Sequence, residues 1–228
     1  MMAGAGSSAM RRVSVLPPDH RLDTLLMNGI RAGTAGVAIP DNAAGSPGLD
    51  ALVRTGDWIR AGFQTFMFIN CRDRNRIDLA SRWSGARHIR VDGIIIEAGV
   101  HPRLGPIPEA RPVHDLDPVQ AVRFLRMVHS SSPDAREASP WIGMRVTVQT
   151  TDAFERVRLT RIIDAGTDML LISCARPDPD LHRWIRHCRD IPGWDRLELW
   201  LDLDTPGEIV GIEPVGVAGV AGVFVPFT

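Results

Sequence analysis

Short apolar runs rich in Val, Ile, Leu and Phe recur along the chain, separated by stretches that mix polar and apolar residues. Eight runs read as strands: 13–16, 36–39, 65–70, 93–97, 141–148, 169–173, 197–203 and 220–225. The stretches 22–32, 48–61, 76–87, 118–129, 152–165, 180–189 and a short 207–214 stand in the places of helices, several with apolar residues at helical spacing. Leu181, Trp184, Ile185 and Cys188 fall on one such face, and Asp152 and Asp180 stand where N-caps are expected. Nearly continuous apolar strands alternating with helices predict a parallel sheet covered on both faces. With eight strands the prediction is a compact (β/α)8 TIM barrel over 13–228, its last helix short or absent, behind a disordered N-terminal segment 1–12. The alternative, an open doubly wound sheet, is disfavoured because no Gly-rich nucleotide fingerprint follows the first strand.

Composition narrows the chemistry. The 228 residues carry a net charge of −1, which argues against a general nucleic-acid or membrane-surface binder. No apolar run is long enough to span a bilayer, and the first twelve residues lack the apolar segment of a signal peptide, so the expected location is cytoplasmic. Cys71, Cys174 and Cys188 have neither disulfide-like nor metal-like spacing. All 26 Lys+Arg positions are Arg, and there is no Tyr. A lysine Schiff base and a tyrosine general acid are therefore excluded.

Barrel sites form at the C-terminal ends of the strands. Polar residues predicted there are Asp41, Asn42, Asn70, Arg72, Asp73, Glu97, His101, Arg145, Ser173, Arg176, Asp202 and Asp204. The densest cluster is Cys71-Arg72-Asp73-Arg74-Asn75-Arg76, directly behind the apolar run 65–70. Charges at the mouth of a buried strand must be solvated, paired or turned toward a polar ligand. For Arg72 and Asp73, loop anchoring and ligand contact are both open, and Asp41 with Asn42 forms either an Asx-turn or part of a ligand site. Glu97 ends the run Ile94-Ile95-Ile96. It is either a carboxyl group of raised pKa that moves protons or the partner of a nearby Arg. His101 is a second candidate acid or base, with a plain surface histidine as the alternative. Arg145, if it points inward, needs a carboxylate or an anionic ligand. Asp202 and Asp204 share one face of their strand and, with Glu97, are a weak candidate for a cation; no metal site is assigned.

In order along the chain, Leu16-Pro17-Pro18, Pro40-Asp41-Asn42 with Gly45, the 71–76 cluster with Leu79, Ser81, Gly85 and Ala86, then Val113, Asp115-Leu116-Asp117 and Val119-Gln120, and Asp164-Ala165-Gly166 with Asp168, resemble the motifs of the methylenetetrahydrofolate reductase family. The resemblance implies a flavin-dependent (β/α)8 barrel of one-carbon metabolism. It also implies departures at the chemical positions. Ser14 stands for the family's Glu, Phe68 for a flavin-contacting His, Val100 for the Asp of the turn after strand four, Ser173 for a pterin-gripping Gln and Pro40 for a Thr. The expectation that follows is a tetrahydrofolate-dependent one-carbon enzyme lacking the flavin-hydride step, with FAD in doubt. Glu97 and His101 would be its acid and base, and Asp41, Asn42, Asn70, Arg72, Asp73, Arg145 and Ser173 would shape the folate pocket. Alternatives are a flavin-dependent reductase with unusual site residues and a non-catalytic barrel serving a partner protein. Apolar surface over 217–227 predicts a homo-oligomer.

Overall fold

The computed structural model describes residues 11–17, 34–133, 139–148, 153–174, 179–203 and 220–226. The expected helix 22–32, the stretch 207–214, and Asp152, Arg176 and Asp204 lie outside these residues. Eight parallel strands close on themselves in sequence order: β1 (Arg11–Val15), β2 (Gly36–Ile39), β3 (Gln64–Asn70), β4 (Gly93–Glu97), β5 (Trp141–Thr147), β6 (Met169–Cys174), β7 (Glu198–Leu203) and β8 (Val220–Pro226). β8 pairs back onto β1, Arg11 opposite Gly222 and Val15 opposite Pro226. The TIM-barrel architecture predicted from the alternation of runs is the one observed.

Around the sheet stand α1 (Ala51–Arg60), α2 (Arg76–His88), α3 (Pro118–Ser130), α4 (Ala153–Asp164) and α5 (Pro179–Cys188). Their starts are set by capping side chains. Asp50 accepts from the backbone N–H groups of Leu52 and Val53, and Asn75 from that of Asp78. Asp117 and Gln120 form a reciprocal capping box, each side chain bonding the other's backbone N–H. Asp180 is the second residue of α5 rather than the residue before it, because the helix begins at Pro179.

Side-chain alternation divides the core into two layers. Outward residues of the strands, such as Met67, Ile69, Ile94, Ile96, Leu170 and Leu201, pack with helix residues including Trp58, Trp83, Leu125 and Trp184. Inward residues, including Val13, Ala38, Phe66, Phe68, Ile95, Leu171, Trp200 and Phe224, fill the lumen. Phe66, Phe68 and Trp200 each meet Phe224 at 5.4–6.3 Å between ring centroids, at steep interplanar angles. Each such contact adds about 0.5–1.5 kcal/mol to simple area burial. Gly222 is required by this packing: a Cβ there would lie 2.4 Å from the Trp200 ring and 2.5 Å from the Arg11 carbonyl.

One expectation changes. Arg11 and Arg12, placed in a disordered segment, are the first residues of β1. Arg11 seals the lower end of the lumen, its guanidinium 4.7 Å from the Trp200 ring and 2.5 Å from Glu198. On β8, Phe224 fills the lumen, while Val223 and Val225 are buried on the outer face of the sheet. Among the described residues, no helix is long and apolar enough to cross a membrane.

Candidate functional site

The same alternation that fills the lumen aims the polar residues above it. Two positions beyond an inward residue comes another inward residue. Ile95 is followed by Glu97, Gly143 by Arg145, Leu171 by Ser173 and Trp200 by Asp202. Each of these polar residues stands at or near the C-terminal end of its strand, and the parallel register brings them level: Thr147 is opposite Ser173, and Ser173 opposite Asp202. They line a pocket of about 390 Å³ at the barrel mouth, together with Val15, Pro40, Asn42, Phe68 and Val100.

Arg145 is the centre of the polar side. Its Nη2 lies 2.5 Å from Asp202 Oδ2 and its Nη1 donates to Glu97 Oε2 at 3.2 Å. Its Nε donates to Ser173 Oγ at 2.9 Å, and that hydroxyl donates to Asp202 Oδ2 at 3.2 Å. The side chain of Arg145 is 39% exposed, those of Glu97 and Asp202 18% and 9%, so the guanidinium faces the opening while the carboxylates sit behind it.

The charges are unequal. Burial pushes the Glu97 carboxyl above the ordinary glutamate value; Arg145 opposes the shift, and Asp41 and Asp202 add to it. Burial alone would weaken the Arg145 cation, but Asp202 and Glu97 outweigh it and raise its pKa. The two partners of this ion pair therefore respond differently: the cation is held firmly, while the Glu97 anion is disfavoured. The distances explain the asymmetry, since Arg145 is closer to Asp202 than to Glu97. Burial thus favours the protonated form of Glu97 at the mouth.

The 71–76 cluster does other work. Arg72 is buried and clasps three loops: Nε donates to Asp73 at 2.6 Å, Nη1 to the Val100 carbonyl at 2.7 Å and Nη2 to the Asn42 carbonyl at 3.4 Å. The hydrogen bonds from Arg72 hold the Asp73 carboxyl below its ordinary range. Arg74 donates from Nη2 to both oxygens of Asp41 at 2.6 Å and from Nη1 to Asp78 at 2.7 Å. Asp41 also accepts from the backbone and side-chain N–H groups of Asn70 at 3.2 and 3.1 Å. Asn42, in the left-handed region at φ 47°, donates to Asp73. Gly99 must be glycine: φ is +80°, and a Cβ would lie 2.9 Å from the Arg72 Cβ.

Of the residues singled out from the sequence, Glu97, Arg145, Ser173 and Asn42 line the pocket, as do Phe68 and Val100. Asp41, Asn70, Arg72 and Asp73 form the brace beside it and are not among the lining residues. His101 caps the short 3-10 turn Pro102–Leu104, its Nδ1 accepting from the Arg103 N–H, and is exposed away from the pocket. Ser14 lies on the outer face of β1 between the inward Val13 and Val15, so it does not occupy a catalytic position facing the mouth. Asp202, expected at the barrel mouth from its place at the end of its strand, lines the pocket too. Arg145 already lies between Glu97 and Asp202, where a bound cation would have to sit. Among the described residues no group of three or more His, Cys, Asp or Glu side chains is arranged to hold a metal ion.

No protein-family model matches this sequence, and no curated protein matches it. Solved structures do match the fold. A protein from Burkholderia cenocepacia J2315 described as a lyase/mutase superposes with a TM-score of 0.64 at 16% identity, over 96% of this chain and 77% of that one. A 2,3-dimethylmalate lyase of the PEP mutase/isocitrate lyase superfamily matches with a TM-score of 0.59 at 15% identity, over 96% and 76%. An oxaloacetate acetylhydrolase matches with a TM-score of 0.60 at 14% identity, over 96% and 76%. At these identities the likeness establishes the barrel. These matches to lyase, mutase and hydrolase barrels correct the methylenetetrahydrofolate reductase assignment and, with it, the one-carbon reaction, tetrahydrofolate and FAD. The physical reason is visible in the brace: the motif residues that suggested the family are bonded to one another and to neighbouring loops, leaving Arg72, Asp73, Asp41 and Asn70 no role in gripping a pterin.

Proposed function

We propose that this barrel is an enzyme with lyase-type chemistry, making or breaking a carbon–carbon bond in a small hydroxy- or oxo-carboxylic acid. The observation that carries the reading is the Arg145 guanidinium, facing the opening of the mouth pocket with Glu97, Ser173 and Asp202 packed around it. The matched barrels supply support from outside the chain, since a dimethylmalate lyase and an oxaloacetate acetylhydrolase both act on such acids.

In the cleavage direction, the substrate carboxylate bonds to Arg145. Glu97, a stronger base than an ordinary glutamate because burial disfavours its charge, takes the proton of a hydroxyl on the carbon beta to that carboxylate. As the carbonyl forms, the bond between the alpha and beta carbons breaks and its electron pair moves to the alpha carbon. The resulting enolate spreads its charge onto the carboxylate held by Arg145, where a fixed cation stabilises it most. Glu97 then returns the proton to the alpha carbon, so the step is balanced without an added oxidant or reductant. Asp202 and Ser173 hold the guanidinium in place. A lysine Schiff base has no part, because the chain contains no lysine.

The test is turnover of a panel of 3-hydroxy and 3-oxo acids followed by NMR, with Glu97→Gln and Arg145→Met as variants. The expected result is cleavage by the wild type and a loss of about 10²-fold or more in Glu97→Gln, the scale of a lost acid–base group. Absence of cleavage across the panel, or full activity in both variants, overturns the reading.

A further inference from the structure

The mouth pocket is divided by the order of the strands. Its apolar lining comes from one arc: Val15 on β1, Pro40 after β2, Phe68 on β3 and Val100 in the loop after β4. Its charged and hydroxyl lining comes from the other: Glu97 on β4, Arg145 and Thr147 on β5, Ser173 on β6 and Asp202 on β7. Because the barrel closes in the order β1 to β8, the two arcs face each other across the opening. Asn42 is the polar exception on the apolar arc, and its amide is bonded to Asp73.

The cation count is equally one-sided. Among the described lining residues Arg145 is the sole cation, and it already bonds two carboxylates. Arg72, behind the apolar arc, is buried and committed to Asp73 and to the Val100 and Asn42 carbonyls. A ligand with one carboxylate can meet Arg145. A second carboxylate or a phosphate would have to lie against Val15, Pro40 and Phe68, unpaired, or beside Glu97 and Asp202, repelled.

Building on the proposed lyase reading, we infer that the substrate is a monoanionic hydroxy or oxo acid carrying a short alkyl group, with its carboxylate on Arg145 and its alkyl group against Phe68, Val15 and Val100. The selectivity resides in the arc of β1 to β3, which rejects dicarboxylates and phosphorylated acids. The pocket volume, near the lower end for ligand sites, limits the alkyl group to a few carbons.

Calorimetric titration of the full chain with 3-hydroxy-3-methylbutyrate, malate and 3-phosphoglycerate tests this without relying on turnover. The expected order is the alkyl monoacid at least tenfold tighter than either of the others. Val100→Arg, at an exposed pocket position where folding tolerates a change, places a second cation on the apolar arc and is expected to reverse the order in favour of malate. Malate or 3-phosphoglycerate binding the wild type as tightly as the alkyl acid overturns the inference but leaves the lyase reading standing if the acid is cleaved. Failure of all three to bind overturns it as well. The predicted order with no cleavage of any acid sustains the inference and removes the lyase reading.

Discussion

Replacing Asp41 by Ala tests whether the charge cluster at the end of β3 is a brace or a ligand site. Asp41 and Arg74 are both buried, with side-chain exposures of 4% and 6%, and share three hydrogen bonds of 2.6, 2.6 and 3.0 Å. Removing the carboxylate strands a buried cation and two Asn70 donors. Breaking one side of a buried pair costs about 3–5 kcal/mol. Asp78 still holds Arg74 Nη1 at 2.7 Å, but it is 42% exposed and compensates in part, so the lower end, about 3 kcal/mol, is expected. For a chain of this size about 2–4 °C of melting temperature accompanies each kcal/mol, giving a fall of about 6–12 °C. Urea unfolding read by tryptophan fluorescence, with thermal circular dichroism, measures both. The double variant Asp41→Leu/Arg74→Met removes the charges together and is expected to recover most of the loss, because what is costly is the unpaired charge. A loss below about 1 kcal/mol, well under the range for breaking a buried pair, combined with abolished ligand binding would refute the brace and make Asp41 a ligand residue.

Glu97 provides a test by pH. Its folded pKa is raised, so between the ordinary glutamate value of 4.5 and the folded value the native state binds more protons than the unfolded one. Stability therefore falls as pH rises through that window, and Glu97→Gln removes the slope; parallel wild-type and variant curves from urea unfolding would contradict it. Gly222→Ala forces a methyl group against the Trp200 ring and the Arg11 backbone, and a loss of about 1–3 kcal/mol by the same assay is expected. Cys71 and Cys188 are buried thiols pushed up to about 12, so neither is alkylated by iodoacetamide at pH 8 until denaturant is added, as peptide mass spectrometry would show. Arg72→Met is expected to lower the melting temperature more than Arg145→Met does, whereas Arg145→Met removes acid binding; the reverse pattern would exchange the roles assigned to the two arginines.

The architecture was legible because a closed parallel barrel buries both faces of every strand. Runs such as Phe66–Ile69 and Gly93–Ile96 are then apolar throughout and stand out against helices of mixed character. What closes the ends of the barrel was less legible. Arg11 lies in a small, polar N-terminal stretch, and its strand is secured by Glu198, 187 residues away, and by the Trp200 ring. Such partners leave no local signal. The direction of Ser14, by contrast, is local: Val13 and Val15 fix the inward parity and put it on the other face.

Parity also explains why the most distinctive motif carried the least chemistry. Glu97, Arg145, Ser173 and Asp202 belong to strands, so their direction follows from the lumen residue two positions earlier. Arg72, Asp73 and Arg74 come after the last residue of β3, where the period of two no longer applies. In that loop their direction is set by what the neighbouring loops offer: the Val100 and Asn42 carbonyls for Arg72, and the Asp41 carboxylate for Arg74. A buried guanidinium in such a place must collect acceptors, and three converging loops supply them. A dense charge cluster directly after a strand is therefore what bracing a barrel rim requires, even with no ligand to recognise. An isolated arginine inside an otherwise apolar strand has no such requirement. Arg145 sits among Met144, Val146 and Gly143 and is held there by Glu97, Ser173 and Asp202, a set of partners that rim bracing does not account for and on which the proposed anion recognition rests.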